Sequence, residues 1–202
     1  MVTETFTTCF LTGTEIGCPG GTRRVESFGI GDLVHTADGR TLPVRWIGRQ
    51  TVVTVFADPL RNWPIRLTAG SLGEAMPIRD LLVSPDHALL VGGLLVQAAA
   101  LVNGTTIVRE TDMPERFVYF HVELEEHALI LAEGVPAESF VDNVGRGRFD
   151  NHATYASHSE GKAPPIAELP IARIKSARQL PRGIRAKLDR LAASLVEVRL
   201  TG

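Results

Sequence analysis

The stretch "TTCFLTGTEIGCPGG", residues 7–21, contains both cysteines of the 202-residue chain. Cys9 comes before the first apolar run, behind a short segment rich in threonine. Two cysteines are too few for a disulfide framework, although they could pair with each other, and neither has a histidine nearby to complete a zinc site. We therefore predict no metal site and no cofactor. The position of Cys9 near the N-terminus then needs another explanation.

Composition places the chain among ordinary globular proteins, with 44% hydrophobic and 22% charged residues. Nineteen glycines and twelve prolines predict many turns and favour a mostly β architecture. No apolar run approaches the roughly 20 residues that a membrane helix needs. No basic segment followed by an apolar one marks a classical signal peptide. We expect no membrane span and a cytoplasmic location by default, with export by another route left open.

Charge is distributed unevenly along the chain. Residues 1–142 hold 10 Arg and no Lys against 18 acidic residues, whereas residues 143–202 hold 11 basic residues against 5 acidic ones. The favoured interpretation is a basic, partly helical tail that docks on an acidic domain. Nucleic-acid binding is the alternative, but no aromatic or base-reading motif interleaves these charges, so we predict no nucleic-acid partner.

Short strand-like runs with turn signals between them fill the first two thirds of the chain, and Asp38–Gly39 is the clearest tight turn. In "RFVYFHVELEEH", residues 116–127, apolar and polar side chains alternate, which predicts a half-buried strand. "GRGRFDNHATYASHSEGKAPP", residues 145–165, is typical of a polar linker. Beyond it, Pro181 should open a last helix with Ile184, Leu188, Leu191 and Leu195 on one face.

Four side chains supply the parts for acyl transfer: a thiol (Cys9), a hydroxyl (Ser84) and two imidazoles (His87 and His127). A thiolate attacks a carbonyl, an imidazole protonates the departing nitrogen, and a hydroxyl orients the groups or stabilises the oxyanion. His121 lies six residues before His127, so both share a face of one strand unless a turn at Glu125–Glu126 separates them. Spacing alone is weak support, since a histidine on an apolar strand is more often a satisfied core residue.

The order of four segments is more specific than the spacing. "CFLTGTEI" (9–16), "GIGDLVHTADG" (29–39), "SPDHALL" (84–90) and "HVELEEHALILAEGVPAESF" (121–140) together resemble the Hint module of Hedgehog autoprocessing domains and inteins, in particular the bacterial Hint-type domains. The resemblance implies a horseshoe-like all-β domain over residues 9–142, in which the first and last strands run close together at the centre. Residues 1–8 would then be a flanking segment, and residues 143–202 a polar linker with the helical tail.

The resemblance also implies a reaction. The first residue of such modules attacks the carbonyl before it, so Cys9 would cleave the Thr8–Cys9 bond by an N-to-S acyl shift that leaves a thioester. Ser84–Pro85–Asp86–His87 stands where the family has Thr-x-x-His, with His87 acting on the scissile nitrogen, and His127 matches the histidine of the late strand. The substrate is the chain's own N-terminal flank, and water or a small nucleophile resolves the thioester.

Departures from the pattern limit the reaction. His121 stands where inteins often carry Asp, and Ser139 stands where Hedgehog domains carry a cysteine, so each is a possible supporting residue only. Asp80 is a third such residue, although an ion pair with Arg79 or another arginine is at least as plausible for it. "GVPAESFVDN" (134–143) lacks the His-Asn pair with which inteins end, so we predict cleavage without protein splicing.

A second hypothesis belongs to another class of protein. The Hint fold would then be a catalytically silent binding module whose basic tail contacts a partner. A Cys9 sulfur far from His87, or a His87 imidazole held entirely by other groups, would favour this hypothesis over self-processing.

Overall fold

The structure is a computed structural model that describes residues 8–140, 149–158 and 166–201. Within these residues most regular structure is β, which confirms the predicted fold class. The strands are β1 (Phe10–Leu11), β2 (Glu15–Cys18), β3 (Gly21–Arg24), β4 (Leu33–His35), β5 (Thr41–Pro43), β6 (Trp46–Val53), β7 (Ile65–Leu67), β8 (Leu81–Val83), β9 (Ala88–Val91), β10 (Leu94–Gln97), β11 (Ile107–Arg109), β12 (Arg116–Glu123), β13 (Leu129–Ala132), β14 (Val135–Glu138) and β15 (Arg173–Ile174). The α-helices are α1 (Pro59–Asn62), α2 (Ala98–Leu101), α3 (His152–His158) and α4 (Arg182–Thr201).

Two large sheets share the chain. The first has the strand order β11-β7-β8-β1-β12-β6, and the second has the order β15-β10-β9-β14-β13-β2-β3. β4 and β5 form a separate hairpin around the predicted turn, where Gly39 has a φ of 83°. This positive φ is a conformation that glycine adopts without steric cost.

The strand that follows Cys9 lies inside the first sheet. β1 pairs antiparallel with β12 on one side (Phe10 opposite Phe120) and with β8 on the other (Phe10 opposite Val83). Cys9 therefore sits between two strands that are remote in sequence, and these strands carry the segments around His121 and Ser84. The early cysteine is thus brought to the middle of a sheet.

Alternation along β12 separates two apolar clusters. Phe120 and Val122 belong to the larger core, whereas Phe117 and Tyr119 belong to a smaller cluster with Cys9. The prediction that β12 is half-buried is wrong in one respect, because the face of the strand that carries His121 is buried as well. That face is covered by residues from beyond the domain, which the alternation within β12 cannot reveal.

Part of the predicted polar linker provides this cover. Phe149 is buried against Trp46 and His121, and α3 follows it with the Tyr155 ring against Trp46. Phe149 and Tyr155 are therefore packed against the domain, in a segment that the sequence predicts to be a polar linker. The rest of the linker (residues 145–148 and 159–165) and Met1–Thr7 of the predicted flank lie outside the described residues.

The predicted last helix is confirmed as α4, which begins directly after Pro181. Leu188 is buried in the larger core, and Ile184 packs against it. A Cβ placed on Gly92 would lie 2.7 Å from the Ile184 side chain, so this turn between β9 and β10 leaves the space that the helix occupies. No helix in the described part of the chain is long and apolar enough to cross a membrane.

Candidate functional site

The Cys9 thiol is enclosed at the start of β1. Cys9 has no exposed surface and shares the smaller apolar cluster with Trp46, Phe117, Tyr119 and Phe149. Burial strongly raises the pKa of the thiol, because an apolar environment penalises the thiolate. The resting thiol is therefore protonated, and any reaction at sulfur requires a neighbouring base.

Ser84 holds the Cys9 backbone from both sides. The Cys9 N–H donates to Ser84 Oγ at 2.9 Å, and the Ser84 N–H donates to the Cys9 carbonyl at 2.9 Å. Both residues are buried. The hydroxyl predicted to support the reaction thus contacts the nitrogen of the Thr8–Cys9 peptide bond directly.

His121 contacts the other side of the same peptide bond. Its Nδ1 is hydrogen-bonded to the Thr8 carbonyl oxygen and lies 3.9 Å from Cys9 Sγ. A carbonyl oxygen can only accept, so Nδ1 carries a proton in this arrangement. The sequence left His121 as a possible supporting residue, but in the structure His121 contacts Thr8 and Cys9, whereas the hydrogen-bond and ion-pair contacts of His127 among the described residues are with Glu138 and Leu169.

Aromatic rings fix the His121 imidazole. The ring centroid of Phe140 lies 4.3 Å from that of His121, and the ring centroid of Phe149 lies 5.1 Å from it. Gly48 is the cross-strand partner of His121, and a Cβ there would lie 2.7 Å from Trp46 and 2.9 Å from Phe149. The glycine therefore provides room for the rings that enclose the site.

His87 lies against the Cys9 backbone from the neighbouring sheet. Its Nε2 is 3.1 Å from the Glu138 carbonyl oxygen and so carries the proton. Its buried Nδ1 has no hydrogen-bond partner among the described residues. Burial lowers the pKa of His87, although the Glu138 charge and the nearby Cys9 backbone oppose this shift. The imidazole is therefore held through one nitrogen, and the other remains available.

His127 is placed in a different environment. The end of β12 and the turn at Glu125–Glu126 separate it from His121. Its Nδ1 accepts the Leu169 N–H at 3.0 Å, and its Nε2 lies 3.6 Å from Glu138 Oε2. Within residues 8–140, 149–158 and 166–201, its hydrogen-bond and ion-pair contacts are with Glu138 and the tail, and none is with Cys9.

The two remaining candidate residues are engaged elsewhere. Asp80 accepts hydrogen bonds from the Arg66 side chain and from the Ala69 N–H, both at 3.0 Å. It therefore forms the ion pair that was the alternative to a supporting role, with Arg66 and not with Arg79. Ser139 Oγ accepts the Ala128 N–H at 2.9 Å and so braces β14 against the start of β13. These contacts hold the domain together, and neither residue has a hydrogen bond to Cys9 in the described structure.

Both cysteines are free thiols, so Cys9 and Cys18 do not pair. Cys18 is buried in the larger core, away from the cluster that holds Cys9. Among the described residues, no group of three or more histidine, cysteine, aspartate or glutamate side chains is arranged to hold a metal ion.

Sequence reasoning missed three residues of the site: Glu138, Phe149 and Arg173. Glu138 is almost fully buried and pairs with Arg173 of β15, while Phe149 lies against His121. A glutamate between apolar residues in "VPAESF" is a weak signal of a buried charge, because glutamates are rarely buried without a partner. The partner lies 35 residues further along the chain, which no local pattern indicates.

A family model described as the Hint domain matches residues 8–144. No curated protein sequence matches.

Several solved structures are similar to the chain. The gp41-1 intein is 14% identical (TM-score 0.44, 66% of this chain and 100% of that chain). A bacterial intein-like domain from Clostridium thermocellum is 18% identical (TM-score 0.43, 66% and 99%). A DnaB intein from Synechocystis sp. PCC 6803 is 9% identical (TM-score 0.45, 67% and 100%). With the family model covering more than half of its length, and Cys9 at the start of the matched region, the chain belongs to the Hint domain family.

Proposed function

We propose that this Hint domain cleaves its own Thr8–Cys9 peptide bond once per molecule, through a thioester and without protein splicing. One observation carries the proposal: the scissile amide is held at both ends. His121 donates to its carbonyl oxygen, Ser84 accepts from its N–H, and the Cys9 sulfur lies beside the same imidazole.

The chemical step exchanges one acyl bond for another. A bond forms between Cys9 Sγ and the Thr8 carbonyl carbon, and the bond from that carbon to the Cys9 nitrogen breaks. The thiol proton is lost and the nitrogen gains one proton, so the products are a thioester and a free amine. For an unstrained amide this exchange is uphill, and the site must stabilise the oxyanion and protonate the nitrogen.

His121 acts on the thiol and on the carbonyl. In the structure Nδ1 carries the proton that it donates to the Thr8 oxygen, so His121 must first change to the tautomer protonated at Nε2 before Nδ1, 3.9 Å from Sγ, can take the thiol proton. The Nδ1–H that results restores the hydrogen bond to the Thr8 oxygen. The same nitrogen thus removes the proton from a thiol whose pKa is raised and stabilises the oxyanion that forms.

His87 acts on the leaving nitrogen. Its Nε2–H is bound to Glu138, so Nδ1 is the nitrogen that exchanges protons at the Cys9 backbone. Burial lowers the pKa of His87, so the resting imidazole is neutral and Nδ1 must first receive a proton, which is the one that leaves the thiol through His121. The protonated ring is then a stronger acid toward the nascent amine. Ser84 Oγ holds that nitrogen through its existing N–H and leaves the new proton to His87.

Water or a small nucleophile resolves the thioester in this proposal. Hydrolysis leaves a carboxylate on Thr8 and restores the Cys9 thiol on a new N-terminus. Ser139 is the less suitable acceptor because its hydroxyl is already bound to the Ala128 N–H. The absence of a His-Asn pair in residues 134–143 supports cleavage over splicing.

The test places a carrier protein upstream of Met1 and follows the intact mass of the fusion over time, with and without a thiol. We expect wild-type protein and Cys18→Ala to separate between Thr8 and Cys9, and Cys9→Ala to stay whole. Cys18→Ala is the matched control, since that thiol is also buried but lies in the other cluster. If wild-type protein stays whole under both conditions, the proposal fails and the binding-module hypothesis takes its place.

A further inference from the structure

A strand from beyond the matched family region joins the second sheet. β15 runs parallel to β10, with Arg173 opposite Leu95 and Ile174 opposite Val96, and the Leu95 N–H donates to the Ala172 carbonyl at 3.0 Å. The family model ends at residue 144, so this strand is an addition to the matched domain. We call residues 169–174 the clasp.

The clasp delivers a positive charge to a buried carboxylate. Arg173 Nη1 lies 3.0 Å from Glu138 Oε1, and Nη2 lies 2.6 Å from Oε2, so the pair has two parallel hydrogen bonds. The Glu138 side chain is fully buried and that of Arg173 is 17% exposed. Burial alone would raise the pKa of Glu138, but the nearby His127 imidazole and the Arg173 guanidinium hold it at about 2. The carboxylate is therefore charged at neutral pH.

A second contact ties the clasp to the same carboxylate. The Leu169 N–H donates to His127 Nδ1, which leaves the His127 proton on Nε2, facing Glu138 Oε2 at 3.6 Å. Glu138 thus faces the clasp directly through Arg173 and indirectly through His127. His127, the histidine that matches the family motif, is thus linked to the site through Glu138, and no hydrogen bond to Cys9 is found for it among the described residues.

Glu138 in turn holds the segment that carries His87. Its backbone carbonyl accepts from His87 Nε2 at 3.1 Å, and its Oε1 accepts from the Ala88 N–H at 2.9 Å. Glu138 therefore accepts hydrogen bonds from both the His87 ring and the backbone immediately after it. A displacement of Glu138 would move the imidazole at the leaving nitrogen.

We propose that the clasp completes the processing site, with Arg173 as a positioning residue that acts through Glu138 to fix the His87 imidazole. The inference rests on the proposed function for its effect on cleavage, but not for its effect on His87. Without Arg173, the buried carboxylate of Glu138 loses its compensating charge and must either take up a proton or move toward solvent. Either change weakens the contacts that orient His87.

The first test measures cleavage in the full chain, with Arg178→Ala as the matched control because Arg178 is an exposed arginine of the same tail. We expect Arg173→Ala to cleave about 100-fold more slowly, the size of effect that a small misplacement of a catalytic group produces. Arg178→Ala should match wild-type protein. Cleavage of Arg173→Ala at the wild-type rate overturns the inference and leaves the proposed function standing.

The second test measures the tautomer of the His87 imidazole and does not require cleavage. In full-length Cys9→Ala protein, nitrogen NMR of the imidazoles should show His87 as the single tautomer protonated at Nε2. Adding Arg173→Ala should abolish that signature, and adding Arg178→Ala should leave it unchanged. An identical His87 signal in both double variants overturns the inference, whether or not wild-type protein cleaves.

A conservative variant covers the case in which Arg173→Ala does not fold. Arg173→Lys keeps the charge but not the two parallel bonds, since an ammonium group is a point donor. We expect cleavage about 10-fold slower than wild type, the size of effect expected when one hydrogen bond to a charged group is lost. A wild-type rate together with an unchanged His87 signal overturns the inference.

Discussion

Replacement of His121 tests the assignment of the reacting atoms. The variant His121→Phe keeps a planar ring between Phe140 and Phe149 but removes the nitrogen that contacts the Thr8 oxygen and the Cys9 sulfur. Removal of one donor to an oxyanion costs about 3 to 4 kcal/mol in transition-state stabilisation, which is roughly 10² to 10³ in rate. Loss of the base for the thiol adds to this, so we expect a decrease of at least about 10²-fold.

The assay is the first-order rate of cleavage of the upstream fusion, read by intact mass. His35→Phe is the matched control, because His35 lies on the β4–β5 hairpin and bonds to Thr41 there. Near-ultraviolet circular dichroism establishes that each variant keeps its tertiary packing. If His121→Phe cleaves within about threefold of His35→Phe, less than a single hydrogen bond is worth, the assignment of His121 is refuted.

Three further predictions follow from particular contacts. Ser84→Ala removes the buried hydroxyl that accepts the Cys9 N–H and should slow cleavage about 10-fold. Ser84→Thr keeps the hydroxyl and should cleave within about threefold of the wild-type rate. Equal rates for the two variants would exclude a role for the hydroxyl. Leu188→Ala should lower the free energy of unfolding by about 2 to 5 kcal/mol in denaturant titration, because Leu188 ties α4 into the larger core, and a loss under about 0.5 kcal/mol would show that α4 is not docked. Stability should fall in acid: as pH drops below about 6.5, the unfolded chain protonates His87 more readily than the folded protein, whose His87 pKa is lowered by burial. From about 4.5 down to about 2, Glu138 removes about 3 kcal/mol more, and Glu138→Gln should flatten this lower part of the curve.

Much of the fold was readable from the sequence because its signals are local. Turn residues marked the β4–β5 hairpin, alternation marked β12, and helical spacing marked α4. The position of Cys9 before a short apolar run, followed by the ordered segments around Ser84 and His121, indicated the family. The first three signals depend on residues close together in the chain, and the last depends on the order of short segments along it.

The surroundings of the site were not readable in the same way. The buried face of β12 is covered by Phe149, and the charge of Glu138 is balanced by Arg173. Phe149 lies in a segment whose composition resembles a linker, and Arg173 lies in the basic tail beyond it. Their contacts depend on pairings between distant segments. A family pattern also assigns His127 a place near the reaction, whereas its actual neighbours are Glu138 and Leu169.

Identification of the linkage at Cys9 is the most direct measurement of the central claim. The upstream fusion is treated with hydroxylamine at neutral pH, which attacks a thioester but leaves an ordinary peptide bond intact. The mass of the released upstream fragment is then measured. We predict a fragment that ends in Thr8 as its hydroxamate, produced by wild-type protein and not by Cys9→Ala. A fusion that stays whole, or a fragment that ends at any other residue, would contradict cleavage through a thioester at Cys9.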